Sequence, residues 1–209
     1  MPVKTNEREY RNFTLDAVRD EQNPDSKRVR GYATTFGNTY VLYSDEEYEI
    51  REQVDAHAFD DCDMSDTIMQ YDHEGRVFAR VSNGTLSLGV DEKGLAIEGD
   101  LGGTELGAQL YQEIAGGYTT KMSMGFKVDR SRDVWTSEEL NGKTIETRTI
   151  YKIDKLFDVS AVSLPANDAT SISARELTDG VIEQLRAERL EARRAETLRK
   201  LIQLKTIKE

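Results

Sequence analysis

Apolar residues recur with period 2 through most of the first 165 positions, then with a spacing near four from about residue 173, so the chain divides into a β-rich body and a helical tail. Residues 28–36 read as a strand stopped by Gly37-Asn38, and the segment around 22–26 reads as a loop. Residues 67–71 and 76–81 form two short strands flanking Asp72-His73-Glu74-Gly75. Residues 86–90 alternate, Asp91-Glu92-Lys93-Gly94 turn, and 95–101 alternate again, which is a hairpin signal. From Thr104 the period changes: Thr104 is an N-cap, Leu106, Leu110 and Ile114 recur every four residues, and Gly116-Gly117 closes the helix. In the strand that follows, Met122, Met124, Phe126 and Val128 share one face and Lys121, Ser123, Gly125 and Lys127 the other. A polar loop carries Trp135 and Asn141-Gly142, residues 144–153 resume alternation, and 156–164 are the continuous apolar run of a buried strand that Pro165 ends.

In the tail, Leu177, Val181 and Leu185 are four apart, and Leu190, Leu198 and Leu201 continue less regularly. This is a long amphipathic helix with a narrow apolar stripe, and its broken heptad suits a short helix pair better than a long coiled coil. The expected fold class is α+β: a mostly antiparallel β-barrel or sandwich of about seven strands with flanking helices. The expected divisions are an N-terminal extension over 1–27, a domain over 28–172 and a helical C-terminal tail over 173–209.

Charge and composition narrow the function classes. Of 209 residues, 37% are hydrophobic and 32% charged, with no run of 18 apolar residues and no apolar leader, so neither a membrane span nor a signal peptide is expected. The net charge of −11 excludes a general nucleic-acid binder. Residues 175–209 carry nine basic against seven acidic side chains, a net +2, while the rest of the chain carries −13. One cysteine, Cys62, and two histidines, His57 and His73, supply neither a disulfide nor a zinc site, and the expected compartment is reducing. The acidic clusters Asp60-Asp61-Cys62-Asp63 and Glu138-Glu139 read as solvated loops, so no metal and no cofactor is expected.

Nucleophilic catalysis needs a weak nucleophile, a base and a group that orients the base. His57 lies in an ordinary amphipathic context, whereas His73 sits at the junction of two strands between carboxylates. Ser123 follows a helix that ends in a double glycine, on the small polar face of an anchored strand, with Gly125 clearing space beside it. A strand serine beside a glycine is also a common structural feature, and Lys121 stands where a nucleophile elbow has its first glycine.

Three stretches together resemble the prohead (procapsid maturation) serine proteases of tailed bacteriophages, which share a fold with the herpesvirus assembly proteases. They are Tyr71-Asp72-His73-Glu74-Gly75-Arg76-Val77, Lys121-Met122-Ser123-Met124-Gly125-Phe126, and the block from Leu156-Phe157-Asp158-Val159-Ser160 to Pro165-Ala166-Asn167. Arg30-Gly31-Tyr32-Ala33 and Ala56-His57-Ala58-Phe59 add supporting matches, and the resemblance spans roughly residues 28–172.

The resemblance implies Ser123 as nucleophile, His73 as general base and Asp158 as the orienting acid, an aspartate where glutamate is more usual. For Asp158 the plain alternative is a strand-end carboxylate bonded to backbone or to Lys155. Gly102-Gly103 is a candidate for oxyanion donors or a turn before the helix. The implied activity is endopeptidase cleavage of phage capsid and scaffold proteins, and of the enzyme itself, by acyl-enzyme chemistry inside the assembling procapsid in the host cytoplasm. The implied partners are the major capsid protein, its scaffold segment and further copies of the chain, without membrane or specific nucleic acid. Such an enzyme needs restraint, so low activity as a monomer is expected. Two other readings stand beside it: a non-catalytic internal scaffold or core protein with a protease-like fold, and an unrelated β-rich binding module with a helical oligomerisation arm.

Overall fold

The computed structural model describes residues 9–18, 23, 25–163 and 172–206. Among the described residues, twelve strands make two mixed sheets, accompanied by two α-helices. The larger is built from β1 (Glu9–Ala17), β2 (Arg28–Thr35), β5 (Ile68–Tyr71), β6 (Glu74–Arg80), β7 (Leu86–Val90), β8 (Gly94–Asp100), β9 (Lys121–Val128) and β12 (Ile153–Val162). Their spatial order is β6-β5-β12-β9-β1-β2-β8-β7, antiparallel throughout except where β12 runs parallel to β5. The smaller sheet joins β3 (Tyr40–Ser44), β4 (Tyr48–Val54), β10 (Val134–Leu140) and β11 (Lys143–Ile150) in the order β10-β11-β4-β3, with β4 and β11 parallel.

Alternation in β9 builds the core: Met122, Met124 and Phe126 are fully buried and join Leu15, Val29, Met69, Leu95, Val159 and Ala161. The large sheet coils so that distant strands face each other across this core. A Cβ on Gly99 of β8 would lie 3.1 Å from Met69 Sδ on β5 and 3.8 Å from Ala79 on β6. Yet β6 and β7 end the strand order, and no ladder joins them among the described residues. The expected mostly antiparallel barrel or sandwich is thus met, among the described residues, by a curled and mostly antiparallel sheet without a closing ladder, beside a second mixed sheet. Two parallel pairings, between segments about 90 residues apart, lie beyond what local alternation reports.

Other expectations shift in detail. Glu9–Ala17, expected within the N-terminal extension, is an interior strand paired on both sides, with β2 and with β9. The polar loop around Trp135 is the strand β10, exposed at every position, and Asn141-Gly142 is its two-residue hairpin turn with φ of 54° and 81°. The helix α1 (Glu105–Ala115) starts as expected, with Thr104 Oγ1 accepting from Gly107 N at 3.0 Å. Its inward face is Gly107, Leu110 and Ile114, while Leu106 is 40% exposed. A side chain at 107 would strike Leu101 O, 2.2 Å from the Cβ position, so glycine is what lets the helix seat.

The helix α2 (Ile172–Thr206) lies against β1 of the large sheet and β3 of the small one. Ile182 and Val181 meet Leu42 and Ile50. Beyond them Arg189 pairs with Glu47 at 3.3 Å and lies over the Tyr48 ring. Residues 190–195 are exposed. No helix among the described residues is long and apolar enough to cross a membrane.

Candidate active site

β5 passes into β6 through a two-residue turn, Asp72-His73, with Tyr71 paired to Glu74. Both turn residues have positive φ, 49° and 60°, as a type I′ hairpin requires, and Asp and His are among the few non-glycine residues that tolerate it. Three bonds fix the turn to the end of β12. Asp72 N donates to Ala161 O at 2.9 Å, and its carboxylate accepts from Ser163 N and Ser163 Oγ, each at 2.8 Å.

From this turn His73 extends back over the sheet, and its Nδ1 lies 2.5 Å from Asp158 Oδ1. The Asp158 side chain is 1% exposed and that of His73 is 17% exposed. A buried carboxylate requires donors to remain charged. Oδ1 of Asp158 has a second one, Ser160 Oγ at 2.6 Å. Lys155, the alternative partner for Asp158, instead pairs with Asp63 at 2.7 Å.

Ser123 stands on β9, the strand next to β12. The register sets Ser123 opposite Ser160 and Gly125 opposite Asp158, so these four residues share one face of the sheet. Cross-strand partners of this kind lie about 5 Å apart. Ser123 is buried, 1% exposed, and its Oγ makes no hydrogen bond among the described residues. The polar face of β9 is therefore covered at Ser123 and Gly125, while Lys121 at its edge stays exposed. The structure bonds His73 to Asp158 and puts Ser123 on the adjoining strand of the same face, with no hydrogen bond between serine and histidine.

The remaining candidates lie elsewhere. The His57 side chain is 82% exposed, bonds Asp60, and lines a cavity of about 620 Å³ with Asp55, Arg132, Tyr151 and Lys152. Gly102 N is taken by Asp100 Oδ1 at 2.9 Å in the turn before α1, which is the plain alternative for that glycine pair. Cys62 is partly buried in the core margin, and desolvation pushes its thiol up to about 12. Asp63, held by Lys155 and Ser65, is drawn down to about 2. Sequence reasoning missed Ser160 and the Asp72–Ser163 staple. The signal for Ser160 was its i+2 spacing from Asp158, which puts the two on one face of a strand.

Searches among curated proteins and among solved structures return no match. The family model of the caudovirus prohead serine proteases matches residues 14–181, from within β1 into the docked part of α2 and across every residue of the site. The chain belongs to the caudovirus prohead serine protease family, whose activity is peptide hydrolysis in phage capsid maturation.

Proposed function

We propose that the chain is an endopeptidase in which Ser123 is the nucleophile, His73 the general base and Asp158 the group that orients the base. The observation that carries this reading is the buried Asp158–His73 hydrogen bond on the sheet face that also bears Ser123. Asp158 fixes the tautomer with the proton on Nδ1, which leaves Nε2 to take the Ser123 proton as Oγ attacks a peptide carbonyl. Nε2 then returns the proton to the leaving amine, and water resolves the acyl-enzyme by the same route. Backbone amides near Ser123 would stabilise the oxyanion, at about 3–4 kcal/mol per donor in comparable enzymes.

The substrates in this reading are capsid and scaffold segments and the enzyme's own chain, cut within the procapsid. A Ser123 that is 1% exposed cannot meet a peptide until its cover moves. That supports low activity in the isolated monomer and activation on assembly with further copies or with shell proteins. The test is co-expression with the capsid protein of the same phage, followed by intact mass of both chains, alongside Ser123→Ala. Discrete fragments with the wild type and none with the variant are expected. The same fragments with Ser123→Ala would overturn the reading.

A further inference from the structure

We propose that Ser160 is a positioning residue of this site, its hydroxyl holding the Asp158 carboxylate so that Oδ1 meets His73 Nδ1; the inference rests on the catalytic reading above. Ser160 and Asp158 are both fully buried on β12, at i and i+2, and so point to the same face of the strand. The Ser160 hydroxyl donates to Asp158 Oδ1 at 2.6 Å, the same oxygen that meets His73 Nδ1 at 2.5 Å. A hydroxyl bonded to a buried carboxylate restricts its side-chain rotation and stabilises its charge, and such charge-assisted bonds are short and strong. The β-ladder makes the arrangement rigid, because the Ser160 backbone is paired with Ser123 on one side and with Gln70 on the other.

The direction of this bond also concerns the nucleophile. Ser160 is the cross-strand neighbour of Ser123. Its proton goes to Asp158, and although its oxygen could still accept, Ser123 Oγ makes no hydrogen bond to it or to any other described residue. In this arrangement the hydroxyl opposite Ser123 does not hold the serine's proton, which leaves it to the histidine. The two adjacent serines have different tasks: one aims the acid, and the other is left to react.

The test uses the full chain as Ser160→Ala and as Ser160→Thr, which keeps the hydroxyl, with melting curves to show that each is folded. Covalent labelling of Ser123 by a fluorophosphonate is timed by intact mass, with Ser123→Ala as the blank. The His73 Nδ1–H proton resonance is followed in ¹⁵N-histidine protein, where only His57 and His73 contribute and His57→Gln assigns them. Ser160→Ala is expected to label about 10- to 100-fold more slowly and to move or broaden the His73 resonance. Ser160→Thr, where folded, is expected to restore most of the rate. Labelling of folded Ser160→Ala within twofold of wild type, with the resonance in place, would overturn the positioning role while leaving the catalytic reading standing. A wild type that does not label at all, even with the capsid protein present, counts against the catalytic reading, and the resonance alone then decides whether Ser160 aims Asp158.

Discussion

In the small sheet, Arg148 is fully buried and surrounded by acids: its Nη1 meets Glu52 at 2.8 Å and its Nη2 meets Asp133 at 2.6 Å. On the large sheet a carboxylate is buried just as deeply, but its partners are a serine hydroxyl and a histidine at the margin, and the neighbouring Ser123 hydroxyl has no partner among the described residues. Both regions remove charge from water, which is costly unless it is compensated. In the first, a guanidinium that does not titrate is locked between acids, so the arrangement can only hold strands together. In the second, compensation passes through an imidazole that can take up and release a proton beside an uncommitted hydroxyl, and that is what acid–base chemistry needs. Burial depth alone does not separate a structural charge from a functional one. The identity of the partner does.

The largest expected effect lies in the region proposed to be catalytic. Asp158→Asn keeps the shape but presents an amide to Nδ1 and favours the wrong tautomer, so Ser123 labelling should fall about 10⁴-fold with little change in melting temperature. A variant that labels at the wild-type rate would remove Asp158 from the site and erase the contrast. Next comes Arg148→Ala, which leaves Glu52 and Asp133 buried without their guanidinium. Its cost, read from the urea midpoint, is expected to be about 3–5 kcal/mol, with labelling per folded molecule unchanged.

Leu42→Ala thins the cluster that seats Ile182 of α2. It should cost about 2–3 kcal/mol and make the tail the first site of limited proteolysis, with the large sheet still resistant. Simultaneous loss of both sheets would show that they unfold as one unit.

Cys62, at the margin of the main core, gives a pH test. Its thiol titrates near 9.0 when unfolded and at about 12 when folded, so the neutral form is the one the fold favours. The associated stability is intact below pH 9 and is lost as pH climbs from 9 toward 12. A thiol reagent at pH 8 should modify the native protein at least tenfold more slowly than the urea-unfolded chain. Equal rates would place the sulfur in water. The smallest effect is expected for Arg189→Ala: loss of its exposed pairing with Glu47 should barely shift the urea midpoint, and less still in 1 M salt.

The same two regions differ in how readily the sequence reports them. Strands β7, β8, β9 and β12 and helix α1 are legible because each has an apolar face whose period survives in the sequence. β4 alternates as regularly in burial, with Tyr48, Ile50, Glu52 and Val54 inward. A glutamate in the inward position disguises it, since the arginine that compensates Glu52 is 96 residues away. β10 has no buried face at all and therefore no alternation to detect, although the Asn141-Gly142 turn marked its hairpin. Within the site, His73, Asp158 and Ser123 could be singled out from their local motifs, whereas Ser160 could not, because its importance lies in what it faces.

The sequence by itself determined the helix with its Thr104 cap, the core face of β9, the junction of two strands around His73 and the family to which these motifs belong, since each depends on residues a few positions apart. Only the tertiary structure decided that β5 runs parallel to β12, that His73 reaches an acid 85 residues along the chain, and that Ser123 is covered. Strand pairing is set by the joint burial of many side chains from distant segments, and that sum is not carried by any one window of the chain.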